Sequence, residues 1–311
     1  MPSRATLLES HAAALERAET REARRVAAAY RQARQELVDS LLNGWHGTSE
    51  LTPDEAAQLL RQSGLLTQID ARLLALEREL GVGVRSIVTS GSELALEHIR
   101  QELALLPPSL QPPAGFANFA TINTQMIERF VPVAFNDIQL GTRTTALILK
   151  RELQTGLIQG ESFPSLIKRL MAATPTGEGV AVWRQGEISA ELAVRRLVIT
   201  AENASKQAAL LEARNDVPEI RKQAIAAIGG NTTDCCLRVH GQIQPVDKPF
   251  KLTGSPRFAD EMQYPTFHWR CRTSIAMYHP LFEQSGLTTA SMRASAAAQL
   301  AKNGRDTKGG A

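Results

Sequence analysis

Apolar residues recur at helical spacing along most of the chain. In the first run Leu7, Leu8, Leu15, Val26, Tyr30, Leu37 and Leu41 alternate with dense Arg and Glu, the signature of an amphipathic helix. The run predicts one helix from about Arg4 to Asn43, closed by Asn43-Gly44. Thr52-Pro53-Asp54-Glu55 opens a second helix with a cap, a proline at its first turn and early acids. That helix is expected to end at Gly64. Leu66, Ile69, Leu73, Leu76 and Leu80 predict a third, broken by Gly81-Val82-Gly83, and a fourth follows from Ser92 to Leu106.

Pro107, Pro108, Pro112, Pro113 and Gly115 then read as a linker. Beyond it, helices are expected over Ala120–Phe130, interrupted by Pro132, and over Ile138–Gly156. A further helix capped by Ser162 carries Phe163, Leu166, Ile167 and Leu170, and two more span Glu187–Arg214 and Val217–Ile228. After Gly229-Gly230 the pattern changes. Leu237-Arg238-Val239 and the run from Gln242 to Val246 alternate like strands around His240-Gly241, predicting a short hairpin. Pro249, Gly254, Pro256 and Pro265 make the middle of this stretch loop-rich, and the tail is rich in Ala, Ser, Lys and Gly.

The fold class expected is therefore mainly α. A long N-terminal helical arm or hairpin covers 1–106. A Pro-rich linker (107–115) and a helical middle domain (116–230) come next. A small loop-rich α+β module with a short hairpin covers 231–282, and a flexible tail covers 283–311. Composition agrees, with the alanine, leucine, glutamate and arginine that favour helix. The net charge of +3 is mild and does not by itself argue for nucleic acid, although a pI near 8.9 leaves it open. Three cysteines, clustered late, are too few for a disulfide framework and suggest a reducing compartment. Met1-Pro2-Ser3-Arg4 leads into a charged helix, so no secretory signal is expected, and no apolar run is long enough for a membrane span. A soluble protein is the expectation.

The late stretch gathers the chemistry. Cys236, His240, His268 and Cys271 are spaced C-x3-H and H-x2-C, thiolate and imidazole donors that suit a structural zinc. The competing reading makes the cysteines small buried apolar residues and the histidines partners of loop backbone. Cys235 is set aside because adjacent cysteines rarely hold one ion. A Cys271–His268 nucleophilic pair lacks an orienting third group. Earlier in the chain, Lys150-Arg151, Lys168-Arg169, Arg195-Arg196 and Arg221-Lys222 are basic pairs on successive predicted helices. They would form a phosphate-tracking stripe if they shared a face, and separate solvated faces if they did not.

The ends of the late stretch resemble the signature of the Mu F-like head morphogenesis (minor head, or minor capsid) proteins of tailed phages. That signature runs R-T-T-x-x-C-x-x-x-x-G, a variable loop, then P-P-x-H-x-x-C-R-S/C. Here Thr232, Thr233, Cys236 and Gly241 fall on the first part, and Pro265, His268, Cys271 and Arg272 on the second. Asn231 stands for the arginine, Thr266 for a proline and Thr273 for the last residue. His240 stands where aspartate is common, so a ligand role for it is no part of the resemblance. Thr200-Ala201-Glu202 is loosely similar to a Thr-Glu pair on the preceding helix. The resemblance covers about Ile138 to Pro280.

It implies a non-enzymatic virion component that acts in procapsid assembly at or near the portal, in the host cytoplasm and then inside the capsid. Its partners would be portal, major capsid or scaffold proteins, with double-stranded DNA as a further contact. The alternative is a metal-dependent hydrolase or toxin-like effector, with Asp234 or Glu261 as base. No room for an appended toxin domain is expected after Pro280.

Overall fold

The computed structural model describes residues 3–43, 64–113, 119–159, 161, 163–173, 181–284 and 287–304. The helix expected over Thr52–Gly64 lies outside them up to its last residue, and the loop at Gly177, Gly160 and Ser162 lie outside as well. Helices dominate: α1 (Arg4–Asn43), α2 (Leu65–Leu103), α3 (Phe119–Ile158), α4 (Phe163–Ala172) and α5 (Val182–Ala213). The mainly α fold with a small sheet near its C-terminus is as the pattern predicts.

Several expected breaks are not breaks. α2 continues through Gly81-Val82-Gly83, and α3 continues through Pro132. At Gly81 the missing side chain makes room, since a Cβ there would lie 2.6 Å from the Phe135 ring. Glycine costs a helix only about 1 kcal/mol, which buried apolar residues on either side of it offset. Leu76, Leu80, Val84 and Ile87 are all nearly inaccessible.

Compact packing divides the chain into two units. One comprises Arg21–Arg85 and Pro132–Val194 and is wholly helical among its described residues. Its core includes Tyr30, Leu37, Ile69, Leu73, Leu76, Leu149, Leu153, Leu166, Leu170 and Trp183. Gly186 lets the Tyr30 ring approach, because a Cβ would sit 2.9 Å from it.

The other unit comprises Met1–Thr20, Ser86–Val131 and Arg195–Ala311. The proline-rich stretch 107–113 therefore lies within this unit. Here the chain departs from the expected helix at Val217–Ile228, which is instead strand β1 (Arg221–Ala226). β1 is the centre of an antiparallel sheet ordered β2-β1-β5, with β2 Ile243–Pro245 and β5 Thr273–Tyr278. Gln223 pairs with Ile243 on one side and Ala276 on the other. The expected hairpin is also corrected. Leu237-Arg238-Val239 belongs to a short helix, α6 (Asp234–Val239), and β2 pairs with β1. β3 (Phe250–Lys251) and β4 (Glu261–Met262) form a separate two-stranded ribbon. The tail is not all flexible: α7 (Thr289–Lys302) is capped by Thr288 and buries Met292, Ala296 and Leu300. Its alanines favour helix, and Leu237 of α6 gives it an apolar partner.

A polar face of α5 secures the sheet. Asn203 accepts the Ile275 N–H at 2.7 Å and donates to the Thr273 carbonyl at 3.3 Å. Glu202 takes Lys206 at 2.5 Å, His98 at 3.2 Å and the Ser274 hydroxyl at 3.1 Å. His98 stacks on His11 at 3.8 Å, and His11 faces Glu102 at 3.3 Å. Arg4 donates to Gln223 and to the Met277 carbonyl. All these charged groups are buried. Burial raises the Glu202 carboxyl, but Lys206 and His98 outweigh it and hold the group at about 2. Burial pushes His98 below its ordinary value. No described helix is long and apolar enough to cross a membrane.

Removing Glu202 strands Lys206 and His98 in the interior, so Glu202→Ala is expected to cost about 3–5 kcal/mol in urea unfolding. Both shifts are downward, so both make the fold acid-sensitive. The Glu202 contribution is complete above its unfolded value of about 4.3 and lost as pH falls toward 2. The penalty for charging His98 grows as pH falls below about 6.5. Melting temperature is expected to fall steadily below pH 6.5, with the part below pH 4.3 reduced in Glu202→Gln.

Candidate metal centre

Both ends of the late stretch lie in the sheet-containing unit, and they meet. Thr233 precedes α6 and places Cys235 and Cys236 in its first turn. His268 opens a tight turn closed by Cys271 N–H donating to the His268 carbonyl at 3.1 Å, and β5 follows. Cys236 Sγ lies 3.1 Å from His268 Nε2 and 3.7 Å from Cys271 Sγ. Cys235 Sγ, Cys236 Sγ and a His268 nitrogen all lie within 4.8 Å of one another. Cys235, which the sequence reading set aside, thus belongs to the cluster. The two adjacent cysteines stand in the first turn of α6, and both sulfurs come within reach of His268.

His240 does not belong. Its Nδ1 accepts the Ala226 N–H at 2.9 Å, so it secures the end of β1. Burial lowers its pKa to about 4, which keeps it neutral. The competing sequence reading, a histidine satisfying backbone, is the one that describes His240.

The donors share protons unevenly. Cys235 is lowered to about 5, first by its hydrogen bond with Cys236 and then by His268 and Thr233, against burial. Cys236 is driven upward by Cys235 and Cys271. Burial pushes Cys271 up, but Cys236, His268 and backbone hydrogen bonds from Phe267 and Thr273 hold it well below the ordinary thiol value. Burial lowers His268, and hydrogen bonds with Cys235 and Cys271 more than compensate, raising it to about 9. The cluster thus gathers two readily ionised thiols, Cys235 and Cys271, around a protonated Cys236 and an imidazole that favours its charged form. All three thiols are free, and 3.7 Å is far from a disulfide bond. It is close to the roughly 3.8 Å that separates two thiolates on a tetrahedral zinc with about 2.3 Å bonds. Cys235 Sγ also contacts the Pro256 carbonyl at 2.7 Å, and Thr233 Oγ1 bonds His268 Nε2 at 2.9 Å. His268 Nδ1 accepts weakly from Arg270 N–H at 3.3 Å. A metal on Nε2 places the ring proton on Nδ1, so ligation would open that contact.

The remaining signature residues hold this knot in place. Thr232 Oγ1 donates to the Ala227 carbonyl at 2.6 Å. Gly241 has φ +76, and a Cβ there would lie 3.2 Å from Met292, so glycine is required twice over. Pro265 is buried, Thr266 bonds Thr200 of α5, and Arg272 reaches Glu16 at 3.4 Å.

The basic pairs are divided. Lys150, Arg151, Lys168 and Arg169 belong to the helical unit. Lys150 pairs with Asp70 at 2.5 Å, Arg151 with Glu152 at 3.0 Å, and Arg169 with Glu152 at 3.2 Å and with Glu161. Arg195 and Arg196 belong to the other unit. Arg221 and Lys222 stand on β1, and Lys222 is wholly buried. No family model, curated protein or solved structure matches this chain.

His240→Ala leaves the Ala226 N–H unpaired in the interior. It is expected to cost about 1–3 kcal/mol of stability by denaturant unfolding and to leave bound metal, measured by mass spectrometry, at the wild-type level.

Proposed function

We propose that this chain is a structural head-morphogenesis protein of a tailed phage, a minor capsid component that acts at or near the portal. We also propose that its C-terminal module is held by one structural zinc. The observation that carries the reading is the convergence of the two signature ends. Cys236, His268 and Cys271, remote in sequence, share one buried cluster. Thr200 and Glu202, loosely similar to a Thr-Glu pair on the preceding helix, bond Thr266 and Ser274, which lie within and just beyond the second end. A motif whose distant parts serve one local structure fits a family scaffold better than a chance match.

Cys235, Cys236, His268 and Cys271 would be the zinc ligands. A Cys3His set is closed and leaves no open position for substrate, which favours a structural ion over a catalytic one. The ion would neutralise the thiolates and tie α6 to the turn before β5, stapling a loop-rich module. The helical unit is then available to portal or capsid partners.

Two experiments test this. Purified protein is expected to contain one zinc per chain. Cys235→Ser, Cys236→Ser and Cys271→Ser are each expected to lose most of it and to lower the melting temperature. Unchanged zinc and stability in all three would remove the metal. For the assembly role, the chain is expected to co-purify with the portal encoded beside it, and its deletion is expected to leave few infectious heads. Normal infectious heads without it would exclude that role.

A further inference from the structure

The sheet-containing unit holds a cavity of about 570 Å³ whose walls do not include the cysteine cluster. It is lined by the first turns of α1, by β1 and β5, by α7, and by the buried Glu202 and Lys206 of α5. Small side chains make the room. α1 contributes Ala5 and Ala12, the sheet Ala226 and Ala276, and α7 Ser291 and Ser295. Leu8, Leu15, Ile275 and Met292 make the walls mostly apolar. Ala12, Ser291 and Ser295 are exposed, so the cavity opens to solvent between α1 and α7. Pockets that hold a whole small molecule are of about 300–1,000 Å³, mainly apolar, with a few fixed polar groups.

One of those polar groups is unsatisfied. Glu19 lines the cavity and is only 3% exposed. Its side chain accepts no hydrogen bond among the described residues, and its one ion-pair contact is Arg272 Nη2 at 4.0 Å. Burial pushes the carboxyl up to about 7, with Arg272 and Arg195 pulling against it. A buried carboxylate without a donor is costly, and a donor brought by a ligand removes that cost. The other groups are matched. Glu202 has Lys206, His98 and Ser274, and Arg272 reaches Glu16 at 3.4 Å. His240 bonds Ala226, and His11 bonds Gln101. Besides these histidines the lining carries four carboxylates, Glu9, Glu16, Glu19 and Glu202, against two cations, Lys206 and Arg272. An anion would enter among carboxylates with both cations already engaged. A cation meets Glu19.

We propose that this cavity binds a small amphiphilic amine. The ammonium group donates to the Glu19 carboxylate, and the hydrocarbon body lies against Leu15, Ile275 and Met292. The contact is a charge-assisted hydrogen bond in a site that excludes most water, where such bonds are strongest. The apolar walls supply the remainder of the affinity, and because they belong to packed helices and strands little ordering is lost on binding. The proposal rests on neither the zinc nor the head-assembly reading, and each can fail alone.

The test uses the purified full-length chain and three probes that share one tail, octylammonium, octanoate and 1-octanol, titrated by calorimetry at about pH 8, above the Glu19 value. Octylammonium is expected to bind saturably, one per chain, about tenfold or more tighter than octanoate. Glu19→Gln is expected to weaken octylammonium about tenfold or more and to leave 1-octanol unchanged. Ala12→Trp, which fills the mouth from an exposed position, is expected to remove binding of both. Nα-acetyl-lysinamide, the same ammonium on a peptide, is expected to bind about tenfold or more weakly than octylammonium. Melting curves establish that both variants are folded. No octylammonium binding, octanoate binding as tightly, or unchanged octylammonium affinity in either variant would overturn the proposal. So would equal affinity for Nα-acetyl-lysinamide, which would make the cavity a receptor for a partner's lysine.

Discussion

Cys235, Cys236 and His268 share one buried cluster, and Cys271 joins it through Cys236. Between α6 and β5 the described chain is mostly loop, with the short strand β2 and one two-residue ribbon, β3–β4. It buries Val246, Phe250, Leu252 and Phe267 but has little regular hydrogen bonding of its own to order it. The Cys236–Cys271 contact at 3.7 Å and the Cys236–His268 contact at 3.1 Å bring its two ends together. Between them Phe250 and Phe267 pack edge to face at 6.1 Å.

The knot reaches the rest of its unit through α5. A helix packed on a sheet is ordinarily apolar on the inner face. α5 instead presents Glu202, Asn203, Lys206 and Gln207, all buried. These groups bond to β5, to the Val246 carbonyl and, through Gln207, to buried Lys222. Burial lowers Lys222 to about 8. Such a network is weak support for stability by itself, because desolvating its charges is costly. It does give the sheet one register on the helix, since a slip would leave several charges unpaired. Acid then acts on the sheet through Glu202 and His98.

Much of this was legible in the sequence, and the misses have physical causes. α1 was readable over its length because its apolar stripe is continuous, and the described helix runs from Arg4 to Asn43. β1 was read as helix because Arg221–Ala226 is short and its buried lysine and glutamine hide the alternation. Pro132 and Gly81 signal breaks locally, but tertiary packing carries α3 and α2 through them. Within the cluster, Cys236, His268 and Cys271 were visible from spacing. His240 was not distinguishable from a ligand until its bond to Ala226 was seen. Cys235 was set aside because adjacent cysteines rarely hold one ion, yet its sulfur lies within 4.8 Å of Cys236 and His268. The pairing of His98 and His11 with carboxylates left no sequence signal, because the partners come from three different helices.

The central claim is that Cys235, Cys236, His268 and Cys271 are arranged to hold one ion. X-ray absorption at the zinc edge of the purified chain tests it most directly. The account predicts a four-coordinate shell of three sulfurs near 2.3 Å and one nitrogen near 2.0 Å. A zinc-free protein, or a shell of nitrogen and oxygen alone, would contradict it.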